Sequence, residues 1–361
     1  MLVSKTVKFV ALTFIVHLGF LWFPQTFLFW YQYWFFPVLR KLYDFTFGLS
    51  PFPVIYFVFF LLVVYGSIQL TNWWPYRTEI KYTFFYKYSA YNIGKYSLVF
   101  ICCFFWFWGF HYYQKDFVPK EKYDTLSIDQ TYVKTEVLRV VLTINEIRKN
   151  LSHSDFQSLL YSQTENMEME IRNVLKKTMT SFGYPAEGRV RVRSLAPEGF
   201  LLRFSTAGIY IPYVFEGHVD KGLHALQIPF TLAHEMAHGY GITDEGDCNT
   251  LAYLVCLHSK NKAIQYSGLL AYLRYLWNDS RMDSVDKNSL RDLLSPEVKN
   301  DIMEMKGQSD KYPDVFPRLR EFLYESYLLC MGVDDGLMSY YSIIDKIAFL
   351  QKENPEYFND K

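Results

Sequence analysis

From Phe9 to Leu39 the chain reads FVALTFIVHLGFLWFPQTFLFWYQYWFFPVL, without one Asp, Glu, Lys or Arg. That exceeds the roughly 20 apolar residues a helix needs to cross a bilayer, and it sets the first constraint on the fold. Pro24 interrupts the run. The pattern therefore predicts a span from Phe9 to Phe23 and slightly beyond, with the Trp-, Tyr- and Phe-rich remainder lying at the membrane interface, where amphipathic rings sit. Two more apolar stretches follow, Pro51–Leu70 and Ser97–Tyr113, which makes three expected transmembrane helices. Lys5 and Lys8 could head a cleaved signal peptide. No small-x-small cleavage site follows them, however, and the two later runs read as further anchors.

Composition supports a membrane setting and little else. Aromatic residues form 19% of the chain and crowd into its first third, while the formal net charge is zero. A chain with no basic excess has no electrostatic footprint for nucleic acid. Basic residues do set an orientation. Lys5 and Lys8 precede the first run, and Arg77, Lys81, Lys87 and Lys95 lie between the second and third, against only Arg40 and Lys41 between the first and second. The positive-inside rule then puts the N-terminus in the cytoplasm and, with three spans, everything after Tyr113 outside. Cys102 and Cys103 fall in the third run. Cys248, Cys256 and Cys330 lack metal-type CxxC spacing, so one pair could form a disulfide, or all could be buried thiols.

The expected organisation is a membrane domain over residues 1–122 and one compact domain over residues 123–361, α+β in class and predominantly helical with a small sheet. Apolar residues recur at helical spacing in TYVKTEVLRVVLTINEIRKNL and NMEMEIRNVLKKTMTSF. RVRVRS and FLLRFSTAGIYIPYVFEGHVD, rich in β-branched and aromatic residues, read as strands. Helices resume at Pro229, with breaks near SPE, KYPDVFP and GVDDG.

The chemistry concentrates in PFTLAHEMAHGYGITDEGDCN, Pro229 to Asn249. His234 and His238 are four apart, so a helix puts both imidazoles on one face, one turn from each other. Glu235 lies beside them and is aimed to take a proton from a water at that site. The pattern is HExxH, in an apolar setting where two histidines and a glutamate would be costly without a partner. A third protein ligand is expected from Asp244, Glu245 or Asp247. Spacing past Gly241 favours Asp244, whereas helical periodicity groups Glu245 with Asn249, Ala252 and Cys256. The residues alone leave that choice open. Tyr340, in MSYYS, is a candidate hydrogen-bond donor to a developing oxyanion. GIYIPYVF is a candidate edge strand for an extended substrate. His218, His224 and His258 read as surface or core histidines, and His17 and His111 as too near the spans to join the site.

Over nearly its whole length the chain resembles a family of bacterial multi-spanning membrane proteins of uncharacterised function, typical of Bacteroidetes, with an HExxH domain after the N-terminal spans. The resemblance rests on WGFHYY, GIYIPY, IPFTLAHEMAH, the Glu-x-x-x-Asn of EGDCN followed by LAYL, and GVDDGLMSYYSIID. It implies a zincin-like domain in which the first acid of Glu-x-x-x-Asn is the third zinc ligand. That selects Glu245 and gives Asn249 the task of orienting a ligand histidine. The family usually carries Glu-x-Glu-Ala-Asn; here Asp247 and Cys248 stand at the inner positions.

The expectation is a zinc metallopeptidase of the bacterial plasma membrane, multi-pass, with an extracytoplasmic domain cutting proteins or peptides near the membrane surface. His234, His238 and Glu245 would hold Zn2+, and Glu235 and Tyr340 would serve catalysis. Its partners would be that substrate and the lipid bilayer, with no nucleic acid and no oligomeric state set by the sequence. A non-catalytic, metal-stabilised membrane scaffold and a zinc amidase acting on cell-wall peptides are the alternatives.

Overall fold

A computed structural model describes residues 5–73, 82–126, 128–152, 165–333 and 335–358; it is mostly helical, with one three-stranded sheet. Arg77 and Lys81, used above for orientation, lie outside the described residues. The chain separates into two units. One comprises Met1–Gln114 with Glu187–Arg189 and Ile211–Glu216, the other Lys115–Ala186, Val190–Tyr210 and Gly217–Lys361.

In the first unit, helix α1 (Lys5–Trp22) stops just before Pro24, which opens α2 (Pro24–Trp30). A proline lacks the N–H that the helix interior needs but fits a first turn, so the break follows from the residue. A π-helical turn over Tyr31–Phe35 leads into α3 (Phe36–Asp44), then α4 (Val54–Trp73) and α5 (Tyr82–Phe107). Among the described residues two helices, not the expected three, are long and apolar enough to cross a membrane: Lys5–Trp22 and Val54–Thr71. The third run was expected to continue to Tyr113. Instead α5 ends at Phe107, its described apolar part is only Tyr91–Phe107, and Gly109–Tyr113 forms a 3-10 turn. The cause is a close approach: a Cβ at Gly109 would lie 2.6 Å from the Phe104 ring, so glycine lets the chain fold back where another residue would hold it off.

Several polar groups in this unit find partners across it. Trp106 Nε1 donates to Thr13 Oγ1 at 2.9 Å, and the Tyr31 hydroxyl to the Trp106 carbonyl at 3.0 Å. Phe20 stacks on Phe110 and Tyr113 with centroid separations of 4.5 and 4.9 Å. The buried Arg40 donates to the Phe215 carbonyl at 2.7 Å and lies over the rings of Phe36, Tyr43 and Phe215, so its charge is not left bare.

The second unit holds α6 (Lys120–Tyr123), α7 (Gln130–Asn150) and α8 (Glu165–Ser181), then the sheet strands β1 (Arg191–Leu195), β2 (Gly208–Ile211) and β3 (Glu216–Asp220) in the order β1-β3-β2. Helix α7 begins where the Asp129 side chain accepts from Tyr132 N–H at 2.9 Å, and buries Val133, Val137, Val140, Val141 and Ile144 along one stripe. The run Phe200–Asp220 is less strand-like than expected. Leu202–Phe204 is a 3-10 turn because the buried Asp220 carboxylate accepts the N–H groups of Gly199, Leu201, Leu202 and Gly222, winding that segment around one acceptor.

Helices α9 (Ile228–Gly239) and α10 (Glu245–Leu257) follow, then α11 (Lys262–Asn278), α12 (Ser284–Asp292), α13 (Pro296–Asp310), α14 (Pro317–Cys330) and α15 (Ile343–Glu353). α9 and α10 form the centre of the core, packed on each other and on α8 and α11. α10 and α11 touch closely: a Cβ at Gly268 would lie 2.3 Å from Cys256 Cβ. All five cysteines are free thiols, with Cys248 and Cys256 buried and Cys330 exposed, so no disulfide closes this unit.

Candidate metal centre

Pro229 in the first turn of α9 starts a helix whose residues are all buried except His234, which is half-buried. The four-residue spacing brings the His234 and His238 rings together, 4.8 Å between centroids. The helix then ends. Gly241 takes φ +97°, a backbone region costly for any residue with a Cβ, and Ile242 N–H bonds back to the Ala237 carbonyl at 3.1 Å. That reversal leads into α10, with Asp244 as its N-cap and Glu245 as its first residue.

His234, His238 and Glu245 converge: one donor atom from each lies within 4.8 Å of the others, the metal-competent group found among the described residues. Nε2 of His234 and Nε2 of His238 are 3.2 Å apart, and Glu245 Oε2 is 3.0 Å from the first and 3.3 Å from the second. The opposite ring nitrogens are engaged. His234 Nδ1 meets Asn249 Oδ1 at 2.9 Å and His238 Nδ1 meets the Ile242 carbonyl at 2.8 Å. Both partners are acceptors, because Asn249 uses its Nδ2 to donate to the Tyr340 carbonyl at 3.2 Å, which fixes its amide. Each Nδ1 therefore donates, and each Nε2 faces a Glu245 carboxylate oxygen, with a lone pair to offer a metal when the ring is neutral.

Three acceptor atoms so close repel one another unless a positive charge lies among them. Ligand bonds of about 2.0–2.1 Å in tetrahedral array put ligand atoms about 3.3 Å apart, so these spacings fit a single small divalent ion. Ionisation runs the same way. Burial alone would raise Glu245, but His238 and His234 outweigh it and hold the carboxyl well below its ordinary range. Burial would likewise lower His238, yet Cys248 and Glu245 hold it well above; of the two, Glu245 carries the real negative charge, since burial pushes the Cys248 thiol up to about 12. The carboxylate of Glu245 thus favours positive charge beside it, which either a proton on His238 or a metal ion can supply.

Of the acids that sequence could not separate, only Glu245 reaches the histidines. Asp244 caps α10 by accepting Asp247 N–H at 2.7 Å, and both Asp244 and Asp247 bind Lys346. Glu235 lies against the sheet: Cβ atoms at Gly208 or Gly217 would lie 2.7 and 2.9 Å from Glu235 side-chain atoms. Its Oε2 is buried with no hydrogen-bond partner, and burial raises its pKa to about 7. Tyr340 comes near, its hydroxyl 3.0 Å from that of Tyr324.

Tyr324 was not foreseen. Its hydroxyl donates to Glu245 Oε1 at 2.5 Å, occupying one carboxylate oxygen and leaving Oε2 for the histidines. It sits on α14, a helix with little burial, so no local pattern marked it. His218 is buried within β3, His224 accepts Leu226 N–H, and His258 lies between the carbonyls of Leu254 and Tyr357; none joins the cluster.

Fold and site together define a mostly helical protein with two helices able to cross a membrane and a buried His-His-Glu group able to hold a metal ion. The chain belongs to the family described as Protein of unknown function (DUF3810), whose model matches residues 31–347. No curated protein and no solved structure matches it.

Proposed function

We infer that the protein is a membrane-anchored zinc-dependent peptidase. The observation that carries this reading is the triangle of His234 Nε2, His238 Nε2 and Glu245 Oε2, with sides of 3.0 to 3.3 Å, on a helix that also carries the buried Glu235, whose Oε2 has no hydrogen-bond partner. Zinc suits a site of two imidazoles and one carboxylate, and when bound it would supply Lewis acidity to water and to a peptide carbonyl. The residues divide the remaining work. Glu235, held apart from other hydrogen-bond partners, receives the proton of the attacking water and passes it to the leaving amine. Asn249 and the Ile242 carbonyl keep the two imidazoles in one tautomer. Tyr340 presents a hydroxyl beside that of Tyr324, where a developing oxyanion would need a donor, while the Tyr324 hydroxyl is spent on Glu245. β2 lies at an edge of the sheet with Ile209 exposed, a place for an extended peptide to pair its backbone.

The test is zinc stoichiometry and turnover of a peptide library by full-length protein. Glu235→Gln should keep about one zinc per chain and lose about 10²- to 10⁴-fold in rate, whereas His234→Ala should lose the metal. A fully active Glu235→Gln protein would sink the mechanism, and a silent one whose His234→Ala partner unfolds would favour a metal-stabilised scaffold.

We also place the metal-binding unit outside the cytoplasm of a bacterial inner membrane. The basic residues around the first two apolar runs support a cytoplasmic N-terminus; the placement further requires α5, whose described apolar part is Tyr91–Phe107, to make a third crossing. Alkaline phosphatase fused after Tyr113 should be active. Activity of a cytoplasmic reporter at that junction would show an even number of crossings and reverse the placement.

A further inference from the structure

We propose that Lys346 is a positioning residue for the metal ligand Glu245, acting through a buried ionic clamp on the first turn of α10. The proposal rests on the metal reading above. Glu245 is the first residue of its helix, so no preceding turn holds its direction; the cap does that work. The cap residue, Asp244, accepts from Lys346 Nζ at 2.5 Å through the same Oδ1 that accepts Asp247 N–H. Asp247 Oδ1 accepts from the same ammonium at 2.7 Å, and its carboxylate also takes the N–H groups of Phe117 at 2.5 Å and Val118 at 3.3 Å. Lys346 and Asp247 are each 1% exposed. The far side of the turn is held as well. A Cβ at Gly246 would come 1.9 Å from Ser342 Oγ and 2.6 Å from the Ser339 carbonyl, so the residue after the ligand lies flat on the Gly336–Ser342 turn that carries Tyr340.

Stability is a poor account of such an arrangement. Burying the Lys346 ammonium and the Asp247 carboxylate, beside the half-buried Asp244, carries a desolvation cost, and apolar replacements of whole buried ion clusters are often neutral or stabilising. An ammonium bridging two acids three residues apart does one thing an apolar patch cannot: it fixes the rotation of the first turn and hence the direction of the Glu245 carboxylate. A loosened turn would leave His234 and His238 in place and swing the third ligand, lowering affinity without removing the site.

The experiment measures zinc affinity by chelator competition, alongside melting temperature, on the full chain in detergent. Lys346→Met should weaken zinc binding at least about tenfold. Ile144→Ala, a cavity on α7 away from the site, should lower the melting temperature and leave affinity within about twofold. Asp247→Asn keeps the shape of the clamp and weakens one arm, so it should lose affinity by a smaller factor; it carries the test if Lys346→Met does not fold. Wild-type affinity in Lys346→Met or in Asp247→Asn, or an equal affinity loss in Ile144→Ala, would overturn the proposal. Wild-type protein that binds no zinc would instead overturn the metal reading on which it stands.

Discussion

Helices α4 and α9 are both rich in apolar residues, and they meet opposite surroundings. Along α4 the side chains of Phe57, Phe59, Phe60, Leu61, Leu62 and Val63 are exposed. Along α9 every residue but His234 is buried. Length separates them first: at 1.5 Å per residue the 20 residues of α4 match a bilayer core of about 30 Å, and the 12 of α9 do not. Polarity separates them second. The middle of α4, Val58 to Val64, carries no polar side chain, whereas α9 carries two imidazoles and a carboxylate into the core. Apolar side chains thus form an exposed surface in one unit and, in the other, a buried wall around polar groups.

Charge insertion should break the comparison most sharply. Leu254→Arg, on α10 beside α9, would bury an unpaired guanidinium in the core; loss of the folded second unit is expected, seen as loss of zinc binding and of cooperative melting. Leu62→Arg, near the middle of α4, should cost about 2.5–3.5 kcal/mol of membrane insertion on the translocon scale, with no effect on zinc affinity of the protein that does insert. If Leu62→Arg disturbed the metal site as much as Leu254→Arg does, the two helices would not differ in kind. The smallest effect sharpens the metal side alone. Tyr324→Phe removes one hydrogen bond to Glu245 and should weaken zinc about tenfold, or about 1.4 kcal/mol, while melting of the metal-free protein barely moves. An unchanged affinity would leave Tyr324 as packing only.

Much of this site is legible because its pattern is local. A four-residue spacing places His234 and His238 on one face whatever surrounds them, and Asn249 falls one turn beyond Glu245 by the same rule. Elements with a strong period, α7 and α8, are equally visible. The misses came where a distant group decided the local form. Asp220 wound Gly199–Leu202 into a turn that β-branched and aromatic composition had suggested would be strand. A phenylalanine pair met Gly109 and ended α5 before the apolar run did.

The sequence by itself determined which segments would be helical, that two stretches before residue 74 have the length and apolarity for a bilayer, and that an apolar helix would carry two histidines and a glutamate. These follow from backbone periodicity and the high cost of burying bare polar groups. Spacing alone left open which of three neighbouring acids meets the histidines; the resemblance pointed to Glu245, and the tertiary structure supplies the reason. Asp244, Glu245 and Asp247 have the same charge and nearly the same reach. Lys346, about a hundred residues on, and the N–H groups of Phe117 and Val118 claim the first and third. Tyr324, from a helix no pattern tied to the site, turns the remaining one. A spacing rule cannot see such partners, because electrostatics and hydrogen bonding act through space and the chain distance between these groups carries no signal of it.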